Sequence, residues 1–246
     1  MRTVIRSEVR KLRATATTWW LLAGAVLLGI AGTVAALAFA QTAGRALNSD
    51  TAVSGALHSS GAGAMLVIVA GIIATAGEFR HGQAEQTFLS DPRRTPTLAA
   101  KTLVMAAVGA GFGLAAAAAS LATTYSWLAA RDVPLPTGSA VWLTVLGAVI
   151  SAVLYAVLGT AIGAITRNQV TAIVVTVAWL TVAETVIRTA TVTVGKWLPG
   201  VAALALRRDP SEGLLTMTAG GLVLAAWVLA TTTAGLVRTR NADITG

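Results

Sequence analysis

Residues 133–166 read VPLPTGSAVWLTVLGAVISAVLYAVLGTAIGAIT, with no charged side chain between Asp132 and Arg167. A helix rises about 1.5 Å per residue, so roughly 20 consecutive apolar residues cross the hydrocarbon layer of a bilayer. This run is long enough, and others flank it. Ala14 to Gly44, Thr51 to Gly77, Thr102 to Ala130 and Gly213 to Val237 are also free of charge, and Asn168 to Ile187 is broken only by Glu184. The runs are continuous, where a membrane β-barrel would alternate apolar and polar positions. The expected fold is therefore an all-α integral membrane protein in a single domain, residues 1–246. Its six transmembrane helices fall at about 17–40, 57–77, 101–129, 140–165, 168–188 and 214–237.

Composition agrees with that reading. Charged residues make up 11% of the 246, hydrophobic residues make up 55%, and the mean hydropathy is +0.74. An average soluble protein carries about 25% charge to cover its surface. The net charge of +8 would raise the question of nucleic acid in a soluble chain, but here the basic residues sit beside and between the spans. There they orient helices and meet anionic lipid heads, so membrane lipid is the expected partner and nucleic acid is not. The absence of cysteine excludes a disulfide, a thiolate nucleophile and a cysteine-ligated metal.

The apolar run from Trp19 to Phe39 exceeds the ~7 to 15 residues of a signal-peptide core, so a retained first helix is expected. Loop charges set the orientation. With the amino end in the cytoplasm, Arg2, Arg6, Arg10, Lys11, Arg13, Arg80, Arg93, Arg94, Lys101, Arg167, Arg238 and Arg240 lie inside. Arg45, Arg131, Arg188, Lys196, Arg207 and Arg208 lie outside, and the excess of inner charge predicts cytoplasmic termini and an even number of spans.

Three segments outside the spans have their own character. Residues 1–16 form an amphipathic interfacial helix, with Val4, Ile5, Val9 and Leu12 on one arc and Arg2, Arg6, Arg10 and Arg13 on the other. Glu8 falls inside the apolar arc and must be paired, either with Lys11 or with a cytoplasmic partner. The loop 78–98 is polar yet carries Phe79, Phe88 and Leu89, with a turn at Asp91-Pro92. A short helix around 83–89 that presents Phe88 and Leu89 to another surface is expected there, or else one resting on lipid. The outer segment 189–212 contains Trp197-Leu198-Pro199, an apolar run too short to cross, and Arg207-Arg208. It reads as a re-entrant helix between spans five and six, opened by Pro199, anchored by Trp197 and returned to water by the arginine pair.

The opening Ser7-Glu8-Val9-Arg10-Lys11-Leu12-Arg13 resembles the permease subunits of ABC-2 type exporters, particularly the actinobacterial branch. So do Gly77-Glu78-Phe79-Arg80-His81-Gly82 and the stretch from Thr87-Phe88-Leu89 through Pro92-Arg93-Arg94 to Ala99-Ala100-Lys101. The resemblance extends over the whole chain in order; Gln83-Ala84 stands where that family usually has a Thr-Ile-like pair. It implies a homodimeric permease in the plasma membrane, working with two copies of a nucleotide-binding ATPase subunit that binds ATP and Mg. This chain itself would bind no cofactor. Glu8, Glu78, Arg80, Phe88, Leu89, Arg93 and Arg94 would couple it to the ATPase, and Glu184, Arg188, Trp197 and Pro199 would form an outer gate. The cargo would be a hydrophobic or amphipathic drug, antibiotic, lipid or peptide.

Independent of the resemblance, the only Gly-Lys pair is Gly195-Lys196 followed by Trp197, so no phosphate-binding G-x-x-x-x-G-K-[ST] loop is present. Energy would come from a partner or from an ion gradient. A proton-coupled carrier buries carboxylates at mid-membrane, whereas Glu184 lies about 24 Å along its span from Asn168, near the outer edge, within reach of Arg188 for an interfacial ion pair. An intramembrane enzyme is disfavoured because His58 and His81 are the only histidines, on opposite sides of the membrane, and no G-x-S-x-G occurs. Gly109-x-x-x-Gly113 and Gly159-x-x-x-Gly163 are expected to let helix backbones approach closely, within one subunit or across a dimer.

Overall fold

The computed structural model describes residues 2–47, 49–80 and 94–240. Helix α1 (Arg2–Ala14) is followed by α2 (Ala16–Thr42), α3 (Asp50–His58), a 3₁₀ turn (Ser59–Gly63) and α4 (Ala64–Arg80). Then come α5 (Arg94–Ala129), α6 (Ser139–Thr166) and α7 (Gln169–Ala190). One-turn α8 (Val192–Gly195), α9 (Pro199–Leu206) and α10 (Met217–Arg240) complete the chain. No strand occurs among the described residues.

Six helical segments are long and apolar enough to cross a membrane: Ala16–Thr42, Ala52–Glu78, Leu98–Ala129, Ser139–Thr166, Gln169–Ala190 and Met217–Thr239. They match the expected six in number and order. The second starts earlier than the hydropathy reading placed it, because Ser49 caps α3 by accepting the N–H of Ala52 at 3.3 Å. An even number of spans puts the two termini at one end of the bundle, and an arginine ties that end together: Arg167 donates to the carbonyl of Arg238 at 3.1 Å.

Helices α4 and α6 form the centre. Ile68, Ile72, Ala76, Tyr155 and Leu158 pack with Ala202, Ala203 and Leu206 of α9 and Leu224 of α10. Small residues permit this closeness. A Cβ on Gly109 would lie 2.7 Å from the carbonyl oxygen of Ala152, and Gly113 meets Val149 and Ala152, so the first glycine pair seats α5 on α6. Gly159 and Gly163 face Ile68, Ile72 and Thr75 and seat α6 on α4. Both pairs are used within one chain. The outer helices are less covered: α7 and α10 expose Val170, Val174, Val182, Leu222 and Leu229, the composition of a lipid-facing surface.

Short helix α9 is the most enclosed of the peripheral elements. Pro199 occupies its first turn, where a missing N–H costs nothing, and Val201, Ala202, Ala203, Ala205 and Leu206 are buried against α6 and α10. Trp227 of α10 donates its indole N–H to the carbonyl of Trp197 at 2.9 Å, which fixes the entry to this helix.

Candidate functional site

Two polar clusters lie at opposite ends of the bundle. At the end holding the termini, α1 brings Glu8 and Lys11 against Glu78 of α4 and Lys101 of α5. Glu8 Oε1 takes Lys11 Nζ at 2.9 Å and Oε2 takes Lys101 Nζ at 2.5 Å. Glu78 Oε1 takes Lys11 at 2.8 Å and Lys101 at 2.9 Å. Each lysine therefore bridges both carboxylates, and Lys101 adds a third hydrogen bond to the carbonyl of Ala74 at 3.1 Å. Burial alone would push the Glu8 carboxyl up, but Lys101 and Lys11 outweigh it and hold the group below its ordinary range. Burial likewise pulls Lys11 down, and the two carboxylates reverse this and raise it.

The amphipathic reading of α1 thus acquires a physical reason for its one misplaced charge. Glu8 is buried because its two oxygens are fully used, with the local Lys11 contact and a second, long-range one. Leu12 joins the apolar cluster of Ala25, Val67 and Met105, while Arg6 and Arg10 remain exposed. A cavity of about 390 Å³ opens beside the quartet, walled by α1, α2, α4, α5 and Gln169. Phe88, Leu89, Arg93 and His81 lie outside the described residues. Arg80 and Arg94 are the last and first residues of the two helices that lead into and out of that segment.

The opposite end is built around α9. A π turn at Trp179–Ala183 interrupts α7, and the extra residue it admits changes which face the following turn presents. Glu184 comes directly after it and is 2% exposed. Its Oε2 accepts the N–H of Val201 at 3.1 Å, with the N–H of Gly200 beside it, so the carboxylate caps the positive end of α9. Its Oε1 makes no hydrogen bond of good geometry, although the Trp179 indole is close. The expected ion pair with Arg188 is not formed; the carboxylate is turned onto the end of α9 instead.

Arg207 corrects the other expectation for this segment. It does not return to water but is 6% exposed, folded beneath α9 with Nη1 on the carbonyl of Gly61 at 3.0 Å. Gly61 makes this possible, since a Cβ there would overlap the guanidinium. The chain turns out through Arg208 instead, at φ 58°. Nearby, His58 Nε2 meets Asp209 Oδ2 at 2.8 Å, and Ser211 donates its N–H to Asp209 at 2.8 Å. Burial opposes ionisation of Asp209, but these partners hold its carboxyl well below the usual range. A cavity of about 510 Å³ is lined by Glu184, Arg188 and Arg207 together with Tyr155 and the apolar Met65, Leu180 and Leu204. Pro199 sets the adjoining helix end, while Trp197 is half exposed at its approach.

Sequence reading named Glu8, Glu78, Glu184, Arg188 and Pro199 and placed Arg207 in water; it did not bring Lys101 to Glu8 and Glu78, nor Tyr155 to the cavity, nor His58 to Asp209. Among the described residues no group of histidine and carboxylate side chains is arranged to hold a metal ion. No protein-family model matches the chain, and no curated protein matches it.

Proposed function

We propose that this chain is the membrane-spanning permease subunit of an ATP-driven ABC exporter. It pairs with a second copy in the plasma membrane and moves a hydrophobic or amphipathic cargo while a separate subunit hydrolyses ATP. The observation that carries the reading is the quartet. It fastens the amphipathic α1 to α4 and α5, the two helices that flank the segment 81–93, so that force applied to that segment reaches three elements at once. The absent phosphate-binding loop and the resemblance around Glu78 and Thr87 support the same reading. In it, both termini face the cytoplasm, α9 is re-entrant from the outer side, and Glu184, Arg188, Trp197 and Pro199 gate release. Phe88, Leu89, Arg80, Arg93 and Arg94 meet the ATPase.

Purification of the permease from cells that also express an ATPase subunit tests this. Phe88→Ala is expected to weaken recovery of the complex by about 2 kcal/mol, the worth of a buried aromatic anchor, with membrane insertion unchanged. Transport that persists without any ATPase subunit would refute the proposal. One observation favours a second reading, an ion-coupled carrier: Glu184, although near the outer end of its span, is a buried carboxylate that lines a cavity. Collapse of transport by a protonophore at constant ATP would select that alternative.

A further inference from the structure

We infer that the cavity beneath α9 is a binding site for a zwitterionic amphiphile, a molecule whose head carries an anionic oxygen and an ammonium beside an apolar tail. Buried charges are tolerated when they are paired, because desolvation otherwise costs several kcal/mol per ion. Two charged side chains here are buried without a salt bridge. Glu184 has Oε1 without a hydrogen bond, and Arg207 has Nε without one. No ion pair joins them to each other; Asp209, bonded to His58, acts on Arg207 only as a charge beyond salt-bridge distance. Both nonetheless line one cavity.

The remaining walls define what complements them. Arg188, half-buried on the same wall, adds a second guanidinium for an anionic oxygen, and Glu184 supplies the acceptor for an ammonium. The N–H of Val201, with that of Gly200 beside it, already holds Glu184 Oε2, which leaves Oε1, next to the Trp179 indole, as the oxygen an ammonium would reach. Met65, Leu180, Val192, Val201 and Leu204 make the rest of the lining apolar and fit a hydrocarbon chain. An anion without an ammonium would leave Glu184 unmatched, and a cation alone would leave both arginines so. This goes beyond the exporter reading, since such a molecule would bind whether or not ATP drives its movement.

The test titrates the purified full-length chain in detergent, without nucleotide, and counts bound molecules by native mass spectrometry. Lysophosphatidylethanolamine is compared with lysophosphatidylglycerol, which lacks the ammonium, and with dodecylamine, which lacks the phosphate. Binding of the zwitterion is expected to be about tenfold tighter than either, the scale of one charge-assisted hydrogen bond. Glu184→Gln should erase the preference over lysophosphatidylglycerol, and Arg188→Gln should weaken both phosphates. Equal binding of the three amphiphiles to the unmodified chain would overturn the site, and because that measurement needs no variant, a misfolded mutant cannot rescue it. Such a failure would leave ATPase-dependent transport untouched, so the two proposals fall separately.

Discussion

The two ends of this molecule handle buried charge in opposite ways. At the end holding the termini, two carboxylates and two lysines from α1, α4 and α5 satisfy one another, and no charge is left over. At the other end Glu184 and Arg207 are as deeply buried yet neither makes a salt bridge, and a cavity lies between the elements that carry them. A closed quartet holds helices together. An open pair of unmatched charges creates demand for something else, which is why the first end reads as a clamp and the second as a receptor.

The contrast is sharpest in stability, where the largest effect is expected. Lys101 is 4% exposed and bridges both carboxylates, so Lys101→Met would leave Glu8 and Glu78 dependent on the half-exposed Lys11. Breaking a buried pair by removing one partner costs about 3–5 kcal/mol. Arg188→Gln, which breaks no bond, should stay within about 0.5 kcal/mol. Thermal unfolding of the two variants in detergent checks this; equal melting temperatures would erase the distinction between the ends.

The spans were legible because lipid imposes a global rule: every residue of a spanning helix must tolerate hydrocarbon, so charge-free length is written along the chain at each crossing. Polar partnerships follow no such rule. Glu8 announced that it needed a partner, and Lys11 three positions on was visible, but Lys101 became the shorter contact only because α1 folds onto α5. The π turn at 179–183 has no local signature in WLTVA, and it is what turns Glu184 onto α9 instead of Arg188. Arg207 next to Arg208 reads as a soluble pair; the missing side chain at Gly61, far away in sequence, lets one of them turn inward.

Acidity should separate the clamp into its parts with a smaller effect. A carboxyl held below its ordinary 4.5 in the folded protein, as Glu8 is, contributes stability that is complete above 4.5 and is lost as pH falls through the lower folded value. Lys11, raised above 10.5, contributes fully below 10.5 and loses its share as pH climbs through its higher folded value. Release of α1 is therefore expected in acid below 4.5 and in strong alkali, with a plateau between. Limited proteolysis near Thr15 across pH reads it directly. A cleavage rate that rises between pH 6 and 8 would place the fastening of α1 elsewhere.

The smallest perturbation probes the receptor end without changing its stability. Ala203 is fully buried against the central helices, whereas Leu204, its neighbour in α9, is half-buried and lines the cavity. Since the chain has no cysteine, Ala203→Cys and Leu204→Cys each introduce a single thiol. Under the re-entrant reading, an external thiol reagent should modify position 204 faster than position 203, and lysophosphatidylethanolamine should protect 204 alone. A thiol at 203 that reacts as fast would show α9 lying free on the surface. A thiol at 204 that the lipid leaves unprotected would show that the cavity, though open, does not take the head group to Glu184.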